Sequence, residues 1–179
     1  PELRAAAGAG EAVYFATDAA TAEGMAEMED LAVRYLAGRA PLFDERIRQG
    51  WIRDGHGDLQ AEDIFLLDDG PRILDCIEFG DEYRWGDVLS DVGFLAMDLE
   101  RLGRPDLGQM FLQLHRGLCA DTWPATLAHH YLAYRAQVRA KVEIVRSSQL
   151  GAPTAPAAAA YIGLANDHLR SAQVKMLLV

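Results

Sequence analysis

The sequence predicts a mostly α-helical fold with one small β-hairpin inserted before its middle. Three observations lead to this prediction. Apolar residues recur every three or four positions over most of the 179 residues, which is the period of helices with one buried face. Two short apolar runs within residues 54–79 have the length of strands and are separated by a turn sequence. Proline and glycine mark the ends of the helical segments.

Length and charge limit the classes of function. A chain of this length, half of it apolar, corresponds to one domain, or a large piece of one, and can form a sizeable core. The net charge of -10 argues against nucleic acid and anionic membranes as main partners. No apolar run approaches the roughly 20 residues of a membrane span. Because no basic leader follows Pro1, and Cys76 and Cys119 suit two reduced thiols, we expect a cytoplasmic protein.

Two helices are predicted before the hairpin. Residues 11–40 carry an apolar face at spacings of three and four. The members of this face are Met25, Met28, Leu31, Ala32, Tyr35 and Leu36. Pro41 suits the first turn of a short second helix with the sequence LFDERIRQ, and Gly50 suits its end.

Residues 54–79, with the sequence DGHGDLQAEDIFLLDDGPRILDCIEF, break the helical period. The apolar runs at 64–67 and 72–77 predict two buried strands, and the sequence DDG at 68–70 predicts a tight turn between them. The same stretch holds eight carboxylates and one histidine. An explanation is needed for so many like charges beside apolar strands.

Four further helical segments are predicted after the hairpin. The first follows Trp85 and ends at Gly103, and the second begins at Pro105. The third extends from Pro124 to about Leu150. The predicted inward residues of the first helix are Val88, Leu89, Val92, Leu95, Ala96, Leu99 and Leu102. Those of the second are Leu107, Met110, Phe111, Leu114 and Leu118. Those of the third are Leu127, Tyr131, Tyr134, Val138, Val142 and Val145.

The end of the chain contains a predicted linker, a helix and the start of a strand. The sequence GAPTAP at 151–156 is a helix breaker and a plausible linker. Residues 157–171 predict a last helix whose apolar positions are Tyr161, Leu164 and Leu169. The final run, VKMLLV, is typical of a buried strand.

Three aspartates differ from the acids of the turn. Asp58 and Asp63 flank the loop that leads into the first strand, and Asp75 lies near the end of the returning strand. Because a hairpin brings its strand ends together, we expect Asp63 and Asp75 to be close. Carboxylates at such a distance repel each other, and a divalent cation such as Mg²⁺ removes the conflict. From the residues alone, a metal site and ordinary exposed acids both stay open.

The phrase HGDLQAED, followed by a hairpin and ILDCIEF, resembles the catalytic core of the protein-kinase-like fold, most closely the aminoglycoside phosphotransferase group. In that group a loop of the form H-G-D-x-x-x-x-N precedes two short strands and a metal-binding Asp. The phrases RDGHGDL, LDCIEF, DVLSDVGFLAMDLE and AYRAQVRAKV resemble bacterial members fused to a C-terminal P-loop ATP-binding domain. The resemblance covers roughly residues 20–150. It implies the C-terminal lobe of a kinase-like fold.

The resemblance implies a role for each residue of the loop and hairpin. Asp58 would be the catalytic base, which accepts or orients the proton of the attacking hydroxyl. His56 would be a structural residue of the loop. Asp63 would bind Mg²⁺ where the family usually has Asn, and Asp75 would be the Asp that bridges the nucleotide phosphates through Mg²⁺. Glu78 would be an extra ligand or a substrate contact.

Charged residues on the later helices have two predicted roles each. Asp87 is either a helix N-terminal acid or a residue that braces the catalytic loop, as an Asp does in kinase-like folds. Arg135 and Arg139 share one face of the long helix and either pair with Asp87 and Asp91 or face substrate. The pair His129–His130 has no partner at metal-ligand spacing, so both are predicted to be ordinary helix residues.

A working kinase has a phosphate-binding lysine and an N-terminal β-lobe that carries it, and both are missing from the sequence. A kinase needs a phosphate-binding lysine on an N-terminal β-lobe, and no lysine precedes Asp58. We therefore expect a fragment without the N-lobe: residues 1–150 form the C-lobe, 151–156 a linker, and 157–179 a helix and the first strand of a P-loop domain.

The expected function is that of an enzyme, an ATP- or GTP-dependent phosphotransferase acting with Mg²⁺ on a small hydroxyl compound or aminosugar. The chain alone is expected to be inactive, because it cannot hold the nucleotide phosphates. One alternative is a non-catalytic regulatory module of the P-loop partner. Another is a metal-dependent phosphoester hydrolase that uses His56, Asp58 and Asp75.

Overall fold

The fold was analysed in a computed structural model, which describes residues 19–150 and 156–174. In these ranges the chain has six α-helices, four short strands and two 3₁₀ turns at Ala61–Asp63 and Asp81–Tyr83. The helices are α1 (Ala19–Leu36), α2 (Ala40–Arg48), α3 (Val88–Arg101), α4 (Pro105–Cys119), α5 (Ala125–Gln149) and α6 (Pro156–Ser171). The strands are β1 (Ile52–Asp54), β2 (Ile64–Leu67), β3 (Gly70–Ile73) and β4 (Trp85–Asp87). The prediction of a mostly helical fold with little β-structure is confirmed.

The helix ends predicted from proline and glycine agree with the structure because backbone chemistry determines them, whereas the first helix ends at Leu36 rather than at residue 40. Pro41 lies in the first turn of α2 and Pro105 in the first turn of α4, where the missing N–H has no partner to lose. Gly50 and Gly103 follow α2 and α3 with φ of +76° and +81°, a conformation that glycine adopts without strain. Residues 11–18, 151–155 and 175–179 lie outside the described part, so those parts of the predicted first helix, linker and last strand are not described.

The core lies where α3 and α6 pack against α5, and α1 covers α6. Leu89, Phe94, Met97 and Leu127 are fully buried at its centre. Burial of side chains of this size stabilises a fold by about 1.5–3 kcal/mol each. Alanines on α5 and α6 let the helices approach closely: Ala133, Ala136, Ala140, Ala158 and Ala165 are all buried.

The predicted inward faces of α4 and α5 are wrong for several residues. Met110, Leu114 and Leu118 on α4 and Tyr134, Val142 and Val145 on α5 are exposed. The buried positions are instead Leu112, Leu132, Ala133, Ala136 and Ala140. The reason is that α5 packs through its small residues, which carry little apolar signal. Leu36 and Leu102, at or just beyond the C-terminal ends of α1 and α3, are also exposed rather than buried.

The prediction for the hairpin was partly wrong. Its first strand is Ile64–Leu67 as expected, but its second is Gly70–Ile73 rather than 72–77, because the two-residue turn pairs Leu67 directly with Gly70. The strands are also not buried. Phe65, Leu66 and Leu67 are about half to more than four-fifths exposed, and Ile73 is similar.

A second strand pair connects the region around the hairpin to the helices. β1 and β4 are antiparallel, with Ile52 opposite Asp87 and Asp54 opposite Trp85. The chain therefore leaves the helical part of the fold and returns to it at neighbouring points, and β4 leads directly into α3. We use the name acidic segment for residues 54–85. Within the described ranges, no helix has the length and apolar character needed to cross a bilayer.

Candidate functional site

The loop at 55–60 is fixed to the N-terminal half of α3 by one carboxylate. The backbone N–H groups of His56 and Gly57 donate to the two oxygens of Asp91, at 2.9 Å and 2.8 Å. Both bonds are charge-assisted, so they are stronger than bonds between neutral groups. A Cβ on Gly55 would lie 2.7 Å from the Asp91 carboxylate, which explains the absence of a side chain there.

Gly57 is required by its conformation and by its surroundings. Its φ is +87°, and a Cβ would lie 2.9 Å from Ile77 and 3.1 Å from the carbonyl oxygen of Tyr83. Its own carbonyl accepts a hydrogen bond of 2.9 Å from the Arg135 guanidinium. The loop is therefore held from α3 on one side and from α5 on the other.

His56 connects this loop to the segment that carries Asp75. Its Nε2 lies 2.8 Å from the carbonyl oxygen of Leu74, so Nε2 carries the proton and donates. The N–H of Ile77 in turn donates to the His56 carbonyl at 3.1 Å. The position matches the structural role that the family resemblance implies for His56, whose part in catalysis stays a prediction.

Asp58 follows in the same loop and has no close partner. Its side chain is 39% exposed, and the nearest cation is Arg139, 3.9 Å from Oδ2. Burial raises the pKa of the Asp58 carboxyl; Arg139 opposes this, and the neighbouring Asp63 adds to it. Asp58 is thus a partly accessible carboxylate that binds a proton more readily than a free aspartate does.

Asp63 ends the 3₁₀ turn that leads into β2. Its side chain accepts a hydrogen bond from the N–H of Gln60 at 3.0 Å, and its backbone carbonyl accepts one from the N–H of Leu74, also at 3.0 Å. The second bond places Asp75, the next residue, beside Asp63 along the backbone. Asp75 itself is exposed and has a left-handed φ of +65°.

The structure brings Asp58 and Asp63 together but does not complete the predicted triad. Among the described residues, no three His, Cys, Asp or Glu side chains are grouped so that they could hold a metal ion. The expectation that Asp58, Asp63 and Asp75 surround one cation is therefore not met. Three carboxylates without a counter-charge repel one another, and one oxygen of Asp63 already caps the turn. Glu78, the possible further ligand, is exposed.

The structure confirms one of the two roles predicted for Asp87, that of a helix N-terminal acid. It caps α3, because its Oδ1 accepts the N–H of Leu89 at 2.9 Å. It is buried and also accepts hydrogen bonds from Arg46 and from the hydroxyl of Tyr131. Its side chain makes none of the loop contacts described above, and the residue that braces the loop is Asp91, one turn later on α3.

Arg135 and Arg139 of α5 contact the loop rather than the predicted acids. Arg135 donates to the carbonyl of Ser90 at 3.1 Å as well as to Gly57. Arg139 lies 3.9 Å from both Asp58 and Glu143. Neither forms the ion pair with Asp87 or Asp91 that the sequence suggested. Arg139 is therefore the cation nearest to the candidate base.

Sequence reasoning missed a partner for His129. The Nδ1 atoms of His129 and His168 lie 2.9 Å apart, although the residues are 39 positions apart in the chain. No spacing rule connects two helices at that distance in sequence, so no local signal was available. His130 stacks on Tyr35 with ring centroids 4.2 Å apart, consistent with an ordinary helix residue.

Comparison with known proteins gave relatives but no family. No family model matches the chain, and no solved structure matches it. The chain is 51% identical over 153 residues to the uncharacterized proteins Rv2004c and MT2060 of Mycobacterium tuberculosis and Mb2027c of Mycobacterium bovis. The matched region is 85% of this chain and 30% of each relative. The chain thus spans less than a third of the length of these relatives.

Proposed function

We propose that this chain is the C-terminal lobe of a protein-kinase-like domain within a longer phosphotransferase. The observation that supports this most directly is the loop around Asp58. Asp91 and Arg135 fix its backbone from two sides, whereas the Asp58 carboxylate is left without a close partner. A rigid loop that presents one accessible carboxylate is what positioning of a reacting hydroxyl requires.

In the proposed reaction, the hydroxyl oxygen of a small substrate attacks the γ-phosphorus of ATP or GTP. The bond from that phosphorus to the bridging oxygen breaks, and the nucleoside diphosphate leaves. Asp58 takes or orients the hydroxyl proton. Its raised pKa favours proton acceptance, because a base is more effective when its pKa lies closer to the working pH.

The carboxylates of Asp63 and Asp75 suit Mg²⁺, which binds one or two carboxylates together with water and phosphate oxygens. Their backbones are adjacent through the Leu74–Asp63 hydrogen bond. When bound, Mg²⁺ neutralises charge on the transferred phosphoryl group. Exposed acids close by, Glu78, Asp81 and Glu82, favour a cationic substrate such as an aminosugar.

The test uses the full-length protein that contains this chain, with a panel of aminosugars and aminoglycosides and labelled ATP or GTP. Asp58→Asn should lower the rate by about 10²–10⁴-fold, the usual contribution of a positioned acid or base, with unchanged thermal unfolding. Asp69→Asn, an equal charge change in the exposed hairpin turn, is the matched control and should keep full activity.

A second candidate is a non-catalytic kinase-like module. It is favoured by Asp63, which stands where the family usually has Asn. In that case Asp58→Asn and Asp69→Asn would behave alike in the phosphorylation assay. Nucleotide turnover unaffected by Asp58→Asn would assign any activity to another part of the longer protein.

A further inference from the structure

A cavity of about 340 Å³ lies between α3, α4, α5 and α6. This volume is at the lower end of the range of small-molecule sites in proteins. Its apolar wall includes Leu112, Trp123 and Leu132, all of which are buried. The wall offers flat, apolar contact area to a ligand of modest size.

One end of the cavity is formed by a chain of three titratable groups. The Oε2 atom of Glu100 lies 3.0 Å from Nε2 of His168, and Nδ1 of His168 lies 2.9 Å from Nδ1 of His129. The hydrogen bond from His168 lowers the pKa of Glu100, so Glu100 is a carboxylate and can only accept. Each contact in the chain therefore has a defined donor.

The direction of these bonds determines what His129 presents to a ligand. Nε2 of His168 donates to Glu100, so in the neutral pair Nδ1 of His168 accepts from Nδ1 of His129. Nε2 of His129 then carries a lone pair, and the described residues provide it with no hydrogen-bond partner. If His129 gains a proton, its Nε2 becomes a donor. The new positive charge is then separated from the Glu100 carboxylate by the His168 ring.

The part of the cavity lining that comes from α4 carries hydrogen-bond donors. Gln109, Gln113 and Arg116 are spaced by four and three residues, so they lie on one face of the helix. The Arg116 guanidinium lies 5.3 Å from the centre of the Trp123 ring. Arg116 forms no ion pair with any described residue, in contrast to most arginines of the chain.

The charged and titratable groups around the cavity thus come from four helices: Glu100 from α3, Arg116 from α4, His129 from α5 and His168 from α6. Glu100 already accepts from His168. Among the described residues, the charge without an ion-pair partner is the positive charge of Arg116, whose side chain is exposed. The site therefore favours a negatively charged group.

We infer that this cavity binds a small organic carboxylate, whose apolar body packs on Leu112 and Trp123 and whose carboxylate is held by Arg116. This site is separate from the proposed phosphotransfer site and does not depend on it. Asp91, which fixes the loop, and Glu100 are nine residues apart on α3, or about 14 Å along the helix. Protonated His129 gives the carboxylate a second donor.

Titration of this chain with 3-phenylpropionate, followed by calorimetry and by NMR of the histidine side chains, tests the inference. The acid should bind with a Kd of about 1 mM or lower, as expected for a ligand of this size. The uncharged amide of the same shape, 3-phenylpropionamide, should bind at least about tenfold more weakly. Affinity for the acid should be higher at pH 6 than at pH 8, because the bound anion favours protonated His129, whose pKa in the free protein is lowered by burial and by the neighbouring His168.

Two arginine variants separate the site from general charge effects. Arg116→Gln should weaken binding of the acid about tenfold. Arg146→Gln removes an exposed positive charge elsewhere, on α5, and should leave binding unchanged. His129→Gln should remove the difference between pH 6 and pH 8. Equal binding of acid and amide, equal effects of the two arginine variants, or no binding of either compound at millimolar concentration would overturn the inference.

Discussion

The helical core and the acidic segment differ in how their charged side chains are placed and paired. In the core, Arg46 is 2% exposed and lies between two buried carboxylates, Asp87 and Asp121. Its Nε and Nη2 atoms donate to Asp87 at 2.8 Å and 2.7 Å, and its guanidinium also donates to Asp121. In the acidic segment, Asp75 and Glu78 are exposed and form no ion pair with any described residue.

The comparison shows which charges serve the fold and which are available to a ligand. A buried charge is tolerated only when partners replace its lost hydration, so the group of Arg46, Asp87 and Asp121 is complete within the chain. An exposed carboxylate keeps its hydration and needs no partner. Asp75 and Glu78 are therefore available to bind a cation or a cationic substrate.

The largest expected effect comes from removing the cation of the buried group. Arg46→Ala leaves Asp87 and Asp121 buried without a counter-charge, which should lower the free energy of unfolding by about 3–5 kcal/mol. Urea denaturation measures this. Arg48→Ala, in the same helix but exposed and paired only with Glu45, is the control. Equal losses for the two variants would contradict the distinction between core and surface charge.

The next effect is a pH dependence of stability that originates in the core. Burial and the nearby Arg39 lower the pKa of His130 from 6.5 to about 4. Between these values the unfolded state binds more protons than the folded state, so stability is complete above about pH 6.5 and falls as the pH drops toward 4. The full loss would be about 3 kcal/mol.

His130→Phe isolates this contribution, because phenylalanine keeps the stacking on Tyr35 and cannot titrate. The difference in unfolding free energy between the wild type and His130→Phe should change between pH 7 and pH 4 in favour of the variant. Carboxylates titrate in both proteins and cancel in the difference. A difference that stays constant with pH would show that folding does not lower the pKa of His130.

A smaller effect is expected where the core meets the acidic segment. Asp91→Ala removes the two acceptors of the His56 and Gly57 N–H groups, which should cost about 2 kcal/mol. Amide hydrogen exchange at these two residues should accelerate more than at the core of α5. The control Asp30→Ala removes an acid whose only partner is the exposed Arg34; exchange in the loop should not change in that variant.

The smallest effect is expected in the hairpin. Leu66 is 84% exposed, so Leu66→Ser should change the free energy of unfolding by no more than about 0.5 kcal/mol. The same denaturation assay measures it. A loss as large as that of Arg46→Ala would show that the hairpin is covered in solution, for example by another protein segment.

The sequence predicted those parts of the fold that depend on neighbouring residues. Pro41, Pro105, Gly50 and Gly103 act on the backbone at their own positions, and the turn between β2 and β3 depends on a few adjacent residues. The buried side of α5 was not predictable in this way, because its alanines are defined by the helices that approach them.

The candidate site was likewise predictable only where its residues are close together in the sequence. His56 and Asp58 belong to a contiguous motif, so the sequence could single them out, whereas the residue that braces their loop is Asp91 and not the predicted Asp87. The contacts of Asp91 with the loop and of His168 with His129 join residues 34 to 39 positions apart. Such pairs depend on how the helices pack, and no local pattern specifies that packing.

The pairing of β1 with β4 has a consequence for how the chain can change over time. Asp54 and Trp85 are opposite each other, so everything between them is an excursion that begins and ends at one point of the helical scaffold. Doubling the length of such an excursion costs only about 0.6 kcal/mol of closure entropy. Insertions, deletions and new ligand contacts can therefore accumulate in this segment beyond the loop that Asp91 and Arg135 hold, while the scaffold beneath is inherited unaltered.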